Sequence, residues 1–255
     1  MIRKKNNASR SQKQAGMGSR ILNFFTRIAT YFLIISVGSV VIFKFVPIPI
    51  TITMIDQKVD ALLGEGSSEL YYDWVPYDEM SKEIPIALVA AEDQKFPDHF
   101  GFDIGAIKKA FENNQKGKKL RGGSTISQQT AKNVFCWQSR GYVRKGLETY
   151  FTFLIEVIWG KKRILEVYAN VAEMGKLTFG VEAASQKFYR KPAAKLSRKE
   201  AARLAAVLPS PKKWSAAKPG PYVSRRTSAI ARGIRQLGGS AYLDGLRSFW
   251  ETFWA

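Results

Sequence analysis

From Ile28 to Phe43 the chain carries no charged residue, within an apolar stretch that extends from Ile21 to Ile50. Arg27 and Lys44 bracket the charge-free run, where long side chains reach lipid head groups, and a span of about 20 residues crosses the hydrocarbon core of a bilayer. A chain with such a segment folds in two parts. One is a helix that satisfies its own backbone in lipid, and the other is a domain in water. A cleaved signal peptide is the alternative, but the run is long for one and no A-x-A site follows it. Before the run stand Arg3, Lys4, Lys5, Arg10, Lys13 and Arg20 among Asn, Ser, Gln and Gly, with no acidic residue. That composition predicts a disordered basic tail over residues 1–20, and its positive charge predicts a cytoplasmic N-terminus. The expected organisation is therefore a tail over 1–20, a transmembrane anchor over 21–46 and an outer domain over 47–255.

The 40 Lys and Arg against 21 Asp and Glu give a formal charge of +19. Such a surface attracts polyanions: nucleic acid, anionic lipid or phosphate-bearing substrates. The topology argues against nucleic acid, because chromosomal DNA and ATP lie on the other side of the membrane. Cys136 is the only cysteine and His99 the only histidine, which excludes internal disulfides, cysteine zinc clusters and multi-histidine metal sites.

Most of the outer domain carries helical signals. Val46 to Asp60, with its prolines and Thr/Ile alternation, reads as an extended linker or short strand. Beyond it, Pro85 opens a helix that runs to about Asp93, and Asp103 can cap the next. A basic, glycine-rich loop at Gln115 to Gly123 precedes a helix that Ser124 or Thr125 can cap. Helices follow over Arg144 to Trp159 and, past Gly160, Arg163 to Val171. Ser197 and Glu200 form a capping box, and another helix spans about Ser224 to Leu237. The apolar positions of Tyr242 to Trp254 also fall at helical spacing. The fold class expected is mainly α.

Three segments carry the candidate chemistry. An Ala-rich apolar helix ends directly in Glu92-Asp93, and a carboxylate leaving such a helix is partly desolvated, which raises its pKa and suits it to general-base work. An ordinary acidic pair at a helix end fits the same pattern, and His99 nearby reads more readily as structural. Gly122 to Asn133 (GGSTISQQTAKN) places small hydroxyls, amides and Lys132 at a helix start, where free amides can cradle a phosphate or sugar. Ser124, Gln128 and Lys132 fall on roughly one face, which could equally face solvent. Arg144 and Glu148 stand at i, i+4, the spacing of a simple helix ion pair.

Taken together and in this order, the segments resemble the glycosyltransferase family 51 domain, the lysozyme-like module of peptidoglycan polymerases. E-D-x-x-F-x-x-H-x-G-x-D is matched by Glu92, Asp93, Phe96, His99, Gly101 and Asp103. G-G-S-T-I-x-Q-Q-x-x-K-N is matched by Gly122 to Asn133, and R-K-x-x-E by Arg144 to Glu148. I-L-E-x-Y-x-N falls at Ile164 to Asn170 and G-V-E-A-A-S at Gly180 to Ser185. The resemblance covers about Asp73 to Leu208. The 47 residues after Leu208 are too few for a transpeptidase domain, and two S-x-x-K matches there, at Ser210 and Ser215, lack K-T-G or S-D-N partners. The chain is thus most similar to the monofunctional transglycosylases of Gram-negative bacteria. Ala169 departs from the Leu usual in the family, a change of packing only.

The resemblance implies an enzyme of the inner membrane with a periplasmic catalytic domain. Its donor would be a glycan chain on undecaprenyl pyrophosphate and its acceptor lipid II. Glu92 would take the proton from the attacking 4-hydroxyl, with inversion to a β-1,4 bond. Glu148 would be the second catalytic carboxylate. Ser124, Thr125, Gln129, Lys132, Arg140, Arg144 and Asn170 would bind substrate, with Lys132 and Arg140 on the pyrophosphate. The resemblance assigns no certain cofactor and no resident metal, although magnesium or manganese could assist departure of the pyrophosphate. Other cell-wall synthesis or division proteins are the expected protein partners. Two other readings stay open: a lysozyme-like hydrolase or lytic transglycosylase, which needs no pyrophosphate-binding cations, and a non-catalytic tethered binder of anionic lipid.

Overall fold

The computed structural model describes residues 3–64, 69–115, 123–139 and 141–246. It divides into two units, Met1–Phe45 and Val46–Ala255. The first is a single helix, α1 (Arg3–Phe45). Its part from Gly18 to Phe45 is long and apolar enough to cross a membrane. The basic residues expected to be disordered continue this helix from Arg3. Once a helix is nucleated, adding Lys, Arg, Gln and Ala costs little.

The second unit is mainly helical. It opens with α2 (Ile52–Leu63), where a strand or linker was expected. The Thr51 hydroxyl accepts from the Met54 N–H at 3.2 Å, and this cap starts a helix directly behind the prolines. After β1 (Tyr71–Tyr72) comes α3 (Glu83–Glu92), whose residues Ile84 to Ala90 are all buried. A helix apolar on every side belongs in the middle of a core. α4 (Ile104–Gln115) is capped by Asp103, whose carboxylate accepts from the Ala106 N–H at 2.8 Å. α5 (Ile126–Phe135), α6 (Tyr142–Ile158) and α7 (Lys161–Val171) follow, with α5 packed on both α6 and α7.

β2 (Glu173–Gly175) and β3 (Thr178–Phe179) complete a three-stranded sheet of order β1-β3-β2. β1 runs parallel to β3 and β2 antiparallel to it, with Tyr71 opposite Thr178 and Tyr72 opposite Phe179. α8 (Val181–Tyr189), α9 (Arg198–Val207) and α10 (Pro221–Gln236) close the unit, and α3 is sandwiched against α9 and α10. The Ser197–Glu200 capping box is present. A 3-10 turn at Gly239–Leu243 stands where the C-terminal helix was expected to begin, and residues 247–254 of that expected helix lie outside the described residues.

Candidate active site

The site is built along α5, which leaves its capping loop held at two points. Thr125 is the N-cap: its hydroxyl accepts from the Gln128 N–H at 3.2 Å and donates to the Gly101 carbonyl at 2.7 Å. The Gln128 side chain returns a bond to the Thr125 N–H at 3.0 Å. Asp93, at the end of α3, accepts from the Ile126 N–H at 3.0 Å, so a carboxylate of one helix end satisfies a free amide of the other. His99 Nε2 lies 3.0 Å from both Asp93 oxygens, and His99 Nδ1 is buried without a partner among the described residues. His99 therefore braces Asp93.

Fixing Ile126 against α3 sets everything that follows. One turn on, the Gln129 amide donates to Glu92 Oε2 at 3.1 Å and its carbonyl accepts from the Tyr168 hydroxyl at 3.0 Å. From α10, Arg226 donates to Glu92 Oε1 at 3.1 Å. Burial pushes the Glu92 carboxyl above the usual carboxylate range; Gln129 and Arg226 pull it back, and Asp93 adds to the rise. A partly desolvated carboxylate held by two donors is oriented and poised to take a proton. Burial, reinforced by the charges of Glu92 and Asp93, holds the Tyr168 phenol well above its usual range, so it remains a donor.

A further turn along α5 stands Lys132, at a rise of about 1.5 Å per residue and hence about 4.5 Å beyond Gln129. Burial lowers the Lys132 pKa, Glu148 opposes that change, and Arg144 and Lys145 reinforce it. Glu148 is itself buried and is gripped by Arg144 at 2.5 Å and by Lys145. A cationic group thus surrounds one carboxylate within a turn of the Glu92 cluster. The arrangement joins a proton acceptor on α3 to an anion cradle on α5 and α6.

Of the residues expected to bind substrate, Gln129, Lys132 and Arg144 converge here, and Ser124 is exposed just ahead of the cap. Ser124 is not in α5, and Gln128 is buried in the capping box, so the face expected from Ser124, Gln128 and Lys132 is replaced by one through Ile126, Gln129 and Lys132. The Thr125 hydroxyl is consumed by the fold. Asn170, also expected to bind substrate, sits in the framework. It is wholly buried, and its amide exchanges two 2.9 Å hydrogen bonds with the Val75 backbone. Arg140 and the 116–122 part of the basic loop lie outside the described residues. Arg226 went unread because no spacing links it to Glu92, 134 positions earlier in the chain.

Gln129, Lys132 and Tyr168 also line a cavity of about 190 Å³ with Thr53, Gln57 and Glu173. Both Glu148 oxygens are engaged by cations, and no group of three or more His, Cys, Asp or Glu that could hold a metal comes together among the described residues. Among the described residues these side chains do not by themselves form a divalent-cation site.

The transglycosylase family matches residues 59–235, which takes in every element from Glu92 to Arg226 just described. The chain belongs to the transglycosylase family. A protein of Xylella fastidiosa named biosynthetic peptidoglycan transglycosylase is 50% identical over 212 residues, covering 83% of this chain and 87% of the relative. Proteins of the same name from Caulobacter vibrioides and Pseudomonas entomophila are 50% and 47% identical, covering 84% and 89% of this chain and 91% and 96% of the relatives.

Proposed function

We propose that this chain polymerises lipid II into β-1,4-linked glycan strands, releasing undecaprenyl pyrophosphate. The observation that carries this reading is that α5 holds, one turn apart, Gln129, which donates to the Glu92 carboxylate of α3, and Lys132, whose charge is coupled to Glu148 and its cations on α6. Glu92 accepts the proton of the 4-hydroxyl as that oxygen bonds to the anomeric carbon of the donor. The bond from that carbon to the pyrophosphate oxygen breaks on the opposite face, so configuration inverts. The leaving group departs as an anion and needs charge stabilisation in place of a proton. Lys132 and Arg144 supply it, and Glu148 orients Arg144 and Lys145. Gln129 and Arg226 hold Glu92, while Thr125 and Asn170 hold the framework. No step is routed through a metal. A hydrolase with the same fold would share Glu92 but has no use for this cation cluster.

The apolar segment of α1 supports a single-pass anchor, with the basic N-terminus in the cytoplasm by the positive-inside rule and the catalytic unit in the periplasm of an inner membrane. The anchor keeps the unit beside its lipid-linked substrate, and other cell-wall synthesis proteins are its expected neighbours.

The test is incubation of the detergent-solubilised full chain with labelled lipid II, wild type beside Glu92→Gln. Lysozyme-sensitive polymer from wild type alone is expected. Equal polymer from both would remove Glu92 from the mechanism. No polymer from wild type, with cleavage of pre-formed strands, would overturn the polymerase reading in favour of a hydrolase.

A further inference from the structure

The cavity beside Lys132 has two kinds of lining. Gln129 and Tyr168 are bonded to each other, and Gln138 donates to the Thr53 hydroxyl at 2.6 Å. Four other lining side chains keep unused capacity. Among the described residues, Gln57 and Asn133 make no side-chain hydrogen bond, and Lys132 has no hydrogen-bond acceptor. Among the described residues the Glu173 carboxylate accepts only the Leu177 N–H, on Oε1 at 3.3 Å, with the Lys212 charge also acting on it. All four side chains are half-exposed, so their free donors and acceptors are open to a molecule that enters, and their convergence on one hollow gives it a polar lining.

The chemistry of the four sorts that something into two ends. Lys132 offers a cation and suits a phosphate oxygen. Glu173, at the start of β2, offers a carboxylate, which repels a phosphate and accepts from hydroxyl or amide N–H groups. Gln57, from α2, and Asn133 both donate and accept. A cavity of about 190 Å³ holds about six waters' share of liquid volume, the size class of a single sugar ring. A neutral ring bearing hydroxyls and an acetamido group, attached to a phosphate, matches both ends at once.

We propose that Glu173, with Gln57 and Asn133, forms a subsite that holds the N-acetylhexosamine ring of the phosphate-linked substrate while its phosphate lies at Lys132. The ring hydroxyls or acetamido N–H donate to Glu173 Oε2, and the amides bond the remaining hydroxyls. Glu173 positions the sugar and takes no proton in the reaction. Its charge also fixes direction, since a substrate entering phosphate-first toward Glu173 would set two anions together. The inference rests on the polymerase reading above.

The experiment uses the full chain in detergent and two ligands: lipid II, and undecaprenyl pyrophosphate, which has the lipid and phosphates but no sugar. KM and kcat for lipid II and inhibition by undecaprenyl pyrophosphate are measured for wild type, Glu173→Ala and Glu173→Gln, with melting temperature as a folding control. Glu173→Ala is expected to raise KM about tenfold, the scale of losing a hydrogen bond to a charged group. Inhibition by undecaprenyl pyrophosphate should stay within about twofold of wild type, because that ligand has no group for Glu173 to accept from. Glu173→Gln still accepts and keeps the Leu177 contact, so its KM should fall between the two. An unchanged KM in Glu173→Ala, or equal weakening of both ligands, would overturn the subsite. A wild type that makes no polymer would instead sink the polymerase reading, so the two failures are distinct.

Discussion

Asn170→Ala separates a structural amide from a substrate-binding one. In the native chain the Asn170 carbonyl accepts from the Val75 N–H and its amide donates to the Val75 carbonyl, each at 2.9 Å, with a second donation to Glu166 O at 2.9 Å. Asn170 is 0% exposed and Val75 7%, so water cannot replace the lost partner. Truncation strands a backbone donor and a backbone acceptor, each at about 1–3 kcal/mol, for a total near 4 kcal/mol. At about 2–4 °C per kcal/mol for a domain of this size, the melting temperature should fall by about 8–16 °C. Thermal unfolding of the full chain in detergent, followed by circular dichroism, reads this directly, with the KM for lipid II measured well below the transition. A melting temperature within about 2 °C of wild type would refute the reasoning. A raised KM with unchanged melting would return Asn170 to the substrate.

Arg226→Ala removes the charge that opposes the effect of burial on Glu92. Glu92 must be ionised to act, so activity is lost as pH falls through its pKa; without Arg226 that pKa rises and the acid limb of kcat/KM should move to higher pH. Arg226→Lys keeps the charge and should move it less, and a limb unmoved in Arg226→Ala would exclude the coupling. Gly101 has φ +73°, and a Cβ there would sit 2.8 Å from the Thr152 methyl. Gly101→Ala should cost about 2–4 kcal/mol from strain plus overpacking, which a thermal melt would report; an unshifted melt would show that the loop relaxes freely.

Local signals in the sequence were legible where the chemistry is local. Asp103, Thr125 with Gln128, and Ser197 with Glu200 cap the helices that begin beside them. Ala87 to Glu92 announced a buried helix ending in a carboxylate, and the structure has that. β1 and β3 are two residues each, too short to show a period, and they form because Tyr71 and Thr178 meet in three dimensions. α2 was hidden because Pro47 and Pro49 impose an extended reading that ends only at the Thr51 cap. Asn170 shows the deeper limit: an amide that binds backbone and one that binds sugar are the same letter, and only burial tells them apart. Arg226 and Glu173 reach the site through tertiary packing, which no short spacing encodes.

The stepping of Ile126, Gln129 and Lys132 along α5 gives the site a fixed pitch. The offset between Gln129, which holds the proton acceptor, and Lys132 of the anion cradle is set by helical rise, about 4.5 Å per three residues, and not by an adjustable loop. Two residues inserted between Gln129 and Lys132 would put the lysine five positions on, about 140° around the helix from Gln129, and carry it off the face. A competing molecule that carries a rigid donor and an anion at that same offset would therefore meet a target unable to respace itself by small changes in chain length.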